Sequence, residues 1–164
     1  MPATYETLYY SRIKSPVGRL TLVVSEAGLL ALEFGGGKSK TGWVESPEKI
    51  AGYARQLQEY FAGQRREFDL QLDIRGTDFQ KRCWQELLEI PYGETRSYAD
   101  IARAIGNPQA VRAVGLANGQ NPIAIVVPCH RVIGSDGSLT GYGGGLGVKR
   151  KLLQHEGALS GSLV

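Results

Sequence analysis

The apolar residues of this chain change their period at Arg75-Gly76, and one uniform sheet or one uniform helical bundle cannot accommodate both halves. Before that point the pattern alternates. Arg19-Leu20-Thr21-Leu22-Val23-Val24 and Leu30-Ala31-Leu32-Glu33-Phe34 read as strands joined by Ser25-Glu26-Ala27-Gly28, and Ser15-Pro16-Val17-Gly18 turns the chain from an earlier strand over residues 8–13. Ser46-Pro47 supplies an N-cap and a proline at the first helical position, and Ile50, Tyr53, Ala54, Leu57 and Phe61 recur at helical spacing up to Gly63. Phe68, Leu70, Leu72 and Ile74 alternate again, which predicts one more strand. Residues 1–75 are thus expected to form a small antiparallel meander with a covering helix, and residues 76–164 a second, mostly helical domain. The fold class is α+β.

In the second half Thr77 with Gln80 forms a capping-box signal, and Phe79, Cys83, Trp84, Leu87 and Leu88 line one helical face. Cys83 on that stripe reads as a core thiol, because a reactive cysteine needs exposure and an electropositive setting. Ser97 with Asp100 caps the next helix, Gly106-Asn107-Pro108 turns the chain, and a further helix runs to Asn118-Gly119, which is helix-turn-helix spacing. On that further helix Val111, Val114 and Asn118 make one stripe, while Ala110, Ala113 and Ala117 make another almost without bulk, suited to close approach by a partner. Two short packed helices also occur in proteins that bind no DNA, and Arg112 by itself reads as a solvated charge.

The remaining chemistry sits in IVVPCHRVIG, residues 125–134. The run 123–127 is expected to be a short buried strand delivering Cys129, with His130 beside it as a base; a thiol becomes a nucleophile as its thiolate. The imidazole needs a third group to hold its tautomer, and Glu156, where a last helix over 148–155 is stopped by Gly157, is a candidate. With two cysteines and two histidines in 164 residues no zinc-finger spacing exists, so no metal and no cofactor are expected. No apolar run has the length of a membrane span and the start of the chain does not read as a secretion signal, which predicts an intracellular protein, cytoplasmic or, in a eukaryote, nuclear. The net charge of +3 suits a polyanionic partner and is common among proteins without one.

Taken together these residues resemble the O6-alkylguanine-DNA alkyltransferases, repair proteins that move an alkyl group from damaged DNA onto their own cysteine. The resemblance is carried by Pro128-Cys129-His130-Arg131-Val132, by Asn121 eight residues before the cysteine, by residues 90–95 with Ser97-Tyr98, by Arg112-Ala113-Val114-Gly115, by Gly141-Tyr142 and by the closing segment 153–157. It covers about residues 76–157 strongly, and residues 1–75 as the family's variable, ribonuclease-H-like N-terminal domain. It implies Cys129 as alkyl acceptor, His130 as a base acting through water, Glu156 as the carboxylate that orients it and Asn121 as the tie between the helix-turn-helix and the active-site turn. Tyr98 would donate to the base, the carbonyls of Cys129 and Val132 would accept from the exocyclic amine of guanine, and Tyr142 and Gly143 would wall the pocket. Arg112 would fill the gap left by an extruded nucleotide, with Ala110, Ala113 and Ala117 against the minor groove. The implied partner is double-stranded DNA carrying O6-alkylguanine, with O4-alkylthymine as a second lesion, and the implied state is a monomer acting once. Gly143 departs from relatives that carry serine there, which predicts a wider pocket. The rival readings are an alkylated-DNA-binding helix-turn-helix protein without transfer, a cysteine hydrolase and a helix-turn-helix regulator.

Overall fold

Two tight hairpins build the sheet of the first unit, Met1–Ile74, in the computed structural model, which describes residues 6–36 and 40–159. Strand β1, Leu8–Ser15, meets β2, Gly18–Ser25, with Ser15 opposite Gly18; β2 meets β3, Gly28–Phe34, with Ser25 opposite Gly28. Each turn is pinned by a serine: Ser15 Oγ accepts from the Val17 N–H at 3.2 Å, and Ser25 Oγ from the Ala27 N–H at 3.1 Å. Gly28 has no substitute, because at φ 144° a Cβ would stand 2.4 Å from the Gln71 carbonyl oxygen.

The antiparallel meander expected from the alternation is present, and a fourth strand, β4, Trp43–Glu45, joins β1 in parallel to give the order β3-β2-β1-β4. Three residues after a glycine-rich stretch of sequence carry too little pattern to be read as a strand. Residues 68–74 are not the expected full strand. They meet β3 only around Leu29, whose N–H donates to Gln71 O and whose carbonyl accepts from the Asp73 N–H. Helix α1, Pro47–Phe61, is capped by Ser46 as expected and packs on β1 and β2 through Ile50, Ala54, Leu57 and Tyr60. The central strand is buried along Leu20, Leu22, Val23 and Val24, so its alternation is weaker than that of a strand with one wet face.

The second unit, Arg75–Val164, is held by α2, Asp78–Leu87, on which Cys83, Trp84 and Leu87 point inward while Leu88, just beyond its end, lies 40% exposed. Trp84 Nε1 donates to the Ala117 carbonyl at 2.8 Å, which fixes α2 against α4, Val111–Gly119; α3, Tyr98–Ala104, completes a three-helix core. Both expected capping boxes, Thr77/Gln80 and Ser97/Asp100, are formed. A pair of two-residue strands that the sequence did not suggest, β5, Arg96–Ser97, and β6, Val132–Ile133, sets the start of α3 beside the Cys129 turn. The last helix, α5, is Leu146–His155.

Residues 123–127 depart from expectation. They are buried, yet they form compact turns and not a strand: the Val126 N–H donates to Ala124 O at 2.8 Å and the Val127 N–H to Ile123 O at 3.0 Å. A five-residue apolar run reports burial and leaves conformation open. Here the local bonds, with the Asn121 side chain, take the polar backbone groups that a sheet would otherwise have satisfied.

Candidate active site

Cys129 opens a 3-10 turn, Cys129–Arg131, that leads directly into β6. The turn is fixed from its N-terminal side by Asn121, whose Nδ2 donates to Val127 O at 2.8 Å while its Oδ1 accepts from the Ile123 N–H at 3.0 Å. Asn118 on α4 donates from Nδ2 to the Cys129 carbonyl at 3.3 Å. The helix-turn-helix and the cysteine turn are therefore joined by one direct hydrogen bond and by the chain through Asn121.

Cys129 is 5% exposed. Burial pushes its thiol up, while the Asn121 amide, the Lys149 ammonium and the Tyr142 hydroxyl favour the thiolate. The resting sulfur is a protonated thiol that must lose its proton during reaction. Cys83, 1% exposed, is also raised by burial, and the opposing influence on it is Arg82.

His130 and Glu156 meet as expected, with Nε2 and Oε2 2.8 Å apart and both side chains fully buried. Burial holds the imidazole below its ordinary range, so it is neutral; a carboxylate can only accept, which puts the proton on Nε2 and leaves a lone pair on Nδ1. Nδ1 is buried without a hydrogen-bond partner among the described residues, as a base awaiting a proton requires. Glu156 is itself held ionised. Burial works against its charge, but His130 and Arg131 outweigh it and set the carboxyl at about 2.

Arg131 is the partner that single-residue reasoning missed. Its Nε donates to Glu156 Oε1 at 2.8 Å, its Nη2 to Oε2 at 2.9 Å and its Nη1 to the Ile90 carbonyl at 2.7 Å. This fork neutralises the carboxylate and fixes its plane. A cation two residues after the cysteine was visible in the sequence, but its inward direction depends on the 3-10 turn.

Of the proposed base-binding groups, Tyr98 shares a 2.8 Å hydrogen bond between its hydroxyl and Thr140 Oγ1. The Cys129 carbonyl already accepts from Asn118 and from the Val132 N–H, which fills both lone pairs. The Val132 carbonyl accepts from Lys149 Nζ at 2.6 Å and keeps one. Gly143 is exposed, and a Cβ there would meet nothing within 4 Å.

On α4 the outer face is Val111, Arg112, Ala113 and Leu116, with Leu116 65% exposed. Arg112 makes no hydrogen bond or ion pair among the described residues. Ala110 is the N-cap and half-buried. Ala117 does not belong to this face: it is 2% exposed and points inward with Val114 and Asn118, because α4 turns its 114-117-118 side to Trp84 and the cysteine turn. The bulk-free stripe ends at Ala113, and an exposed leucine follows it. Among the described residues no helix is long and apolar enough to cross a membrane, and no group of three or more metal-ligating side chains is present.

A helix-turn-helix joined to a buried cysteine, histidine and carboxylate is a combination that known proteins share. Residues 78–158 match the family model of the 6-O-methylguanine DNA methyltransferase, DNA binding domain, and residues 8–74 that of the ribonuclease-like domain of the same proteins. A methylated-DNA--protein-cysteine methyltransferase of Mycobacterium tuberculosis is 57% identical over 152 residues, 91% of this chain and 92% of its own length. One of Methanosarcina acetivorans is 53% identical over 155 residues, 92% and 99% respectively. The crystal structure of the M. tuberculosis OGT in complex with DNA is similar with a TM-score of 0.87 and 57% identity, over 92% of this chain and 93% of that one. The chain belongs to the 6-O-methylguanine DNA methyltransferase family.

Proposed function

We propose that this protein repairs O6-alkylguanine in duplex DNA by moving the alkyl group irreversibly to Cys129, acting once, inside the cell and as a monomer. The observation that carries the reading is the buried relay in which His130 and Arg131, on the same short turn as Cys129, meet Glu156 at the end of α5, the turn being tied by Asn118 to the helix whose outer face presents Arg112. An apolar core could fill the same space without burying three ionisable side chains.

The modified nucleotide must leave the stack to meet a sulfur inside the domain, at a cost of a few kcal/mol. Arg112 fills the gap, and Val111, Ala113 and Leu116 lie along the groove. The flipped guanine sits between Tyr142-Gly143 and Tyr98, its exocyclic amine donating to the free lone pair of the Val132 carbonyl. The open space at Gly143 favours alkyl groups larger than methyl and extends the reading to O4-alkylthymine.

In the chemical step the Cys129 proton passes through a water to His130 Nδ1, sulfur bonds to the alkyl carbon, and the carbon–O6 bond breaks with its electron pair going to the base. The Tyr98 hydroxyl protonates the departing guanine, and the proton held by His130 returns to the tyrosinate through solvent. The products are guanine and a thioether. No nearby group attacks that thioether, so each molecule acts once.

Intact-mass measurement after incubation with a duplex containing O6-methylguanine should give a gain of one methyl group, located on the peptide that holds Cys129 and absent from Cys83. Modification of Cys83, or no gain, contradicts the reading. Cys129→Ser should keep DNA binding and lose transfer.

A further inference from the structure

Among the described residues Lys149 is the one buried cation near the cysteine turn to which the relay assigns no task. It lies on α5, is 0% exposed, and donates from Nζ to the Val132 carbonyl at 2.6 Å and to the Thr140 carbonyl at 2.9 Å. Its ammonium stands 6.0 Å from the centre of the Tyr98 ring. Among the described residues no carboxylate pairs with it, and the Glu156 carboxylate is engaged by Arg131 and His130. Burying a cation with only carbonyls around it is costly, and a neutral side chain of the same length would fill the space without that cost.

Charge bookkeeping around Cys129 gives the cation a use. The groups facing the sulfur's turn are neutral His130, the Glu156 and Arg131 pair, whose charges cancel, the Tyr142 hydroxyl and Lys149. The set carries one uncompensated positive charge as long as the sulfur is a thiol and none once it is a thiolate. Lys149 also reaches the turn structurally, since the Val132 it grips donates its N–H to the Cys129 carbonyl.

We propose that Lys149 is a positioning residue of the transfer reaction, the counter-charge of the Cys129 thiolate and the clamp that holds the Val132 and Thr140 carbonyls as two walls of the base pocket. This rests on the reading of Cys129 as acceptor. Burial lowers the Lys149 ammonium and the neighbouring sulfur opposes that, leaving it at about 8, the mutual influence expected of an ion pair made only when the thiol ionises.

The test is the pH dependence of Cys129 alkylation by iodoacetamide, followed by peptide mass in the full chain, for wild type, Lys149→Met and Lys149→Arg, with thermal unfolding of each measured in the same buffers. The Met variant should shift the midpoint of reactivity up by about one pH unit or more, a loss of about tenfold or more below it, while the Arg variant keeps it near the wild-type position. Lys149→Gln takes the place of Met if Met does not fold. An unchanged midpoint in a folded, uncharged variant overturns the counter-charge, whatever happens to its unfolding temperature. Because iodoacetamide needs neither DNA nor base, failure of repair itself would appear in the intact-mass experiment and not in this one.

Discussion

Ile125 holds φ at 72°, a region that β-branched residues avoid, and it does so 1% exposed inside the turns that precede Cys129. Such a conformation costs about 1–3 kcal/mol and persists where the surroundings determine it. Here the local backbone bonds of residues 123–127 and the two hydrogen bonds of Asn121 do so. Ile123 is equally buried without a positive φ, which makes it the control. Replacing either isoleucine by glycine removes a buried side chain at a cost of roughly 2–5 kcal/mol, but at Ile125 the strain is released as well. Ile125→Gly should therefore be less destabilising than Ile123→Gly by about 1–2 kcal/mol in urea unfolding; equal losses would mean that Ile125 stores no strain. The same residues mark a limit of sequence reading. Their burial was plain from five apolar letters, whereas the positive φ follows from where Asn121 and the cysteine turn pin the two ends.

At the scale of elements, α4 divides its faces between fold and partner. Val114, Ala117 and Asn118 face Trp84 and the cysteine turn, and Arg112, Ala113 and Leu116 face outward. If Arg112 replaces the flipped nucleotide in the stack, Arg112→Ala should slow repair of duplex DNA by tenfold or more and leave reaction with free O6-benzylguanine within about twofold, since the free base needs no flipping. Single-turnover rates on the two substrates decide this; equal losses would place Arg112 in the support of the pocket. The boundaries of α2 and α3 were legible because a capping box is a local reaction between residues three apart. The inward position of Ala117 was not legible, because alanine suits an open groove and a tight helix crossing equally well, and the choice is made by a tryptophan 33 residues away.

At the scale of the whole molecule, the buried charges of the second unit set its response to acid. His130 is held neutral below its ordinary value of 6.5, so between that value and its folded one the unfolded chain binds more protons and stability falls as pH drops through 6.5. Glu156 is lowered from 4.5 to about 2, so its contribution is complete above 4.5 and is lost as pH falls toward 2, amounting to a few kcal/mol. Urea unfolding between pH 8 and pH 3 should show stability declining below 6.5 and again below 4.5. In Glu156→Gln the lower decline should shrink, at a cost of about 3–5 kcal/mol at neutral pH, because Arg131 is left buried with no counter-charge, while Asp100, Asp136 and Glu48, also held below their ordinary values, keep the remainder. A variant that retains the lower decline in full would assign it to those other carboxylates.

The sequence by itself determined the division near residue 75, the meander, the capped helices and the candidate set of Cys129, His130, Glu156 and Asn121, because periods, caps and motifs are local properties of neighbouring residues. Only the tertiary structure decided that Arg131 turns inward to Glu156, that Lys149 is buried against the Val132 carbonyl, that Ala117 leaves the open face and that residues 123–127 coil instead of extending. Each of these depends on a partner far along the chain. A long side chain such as Arg or Lys is equally at home in water, and its direction is settled where a carboxylate or a carbonyl from another element meets it.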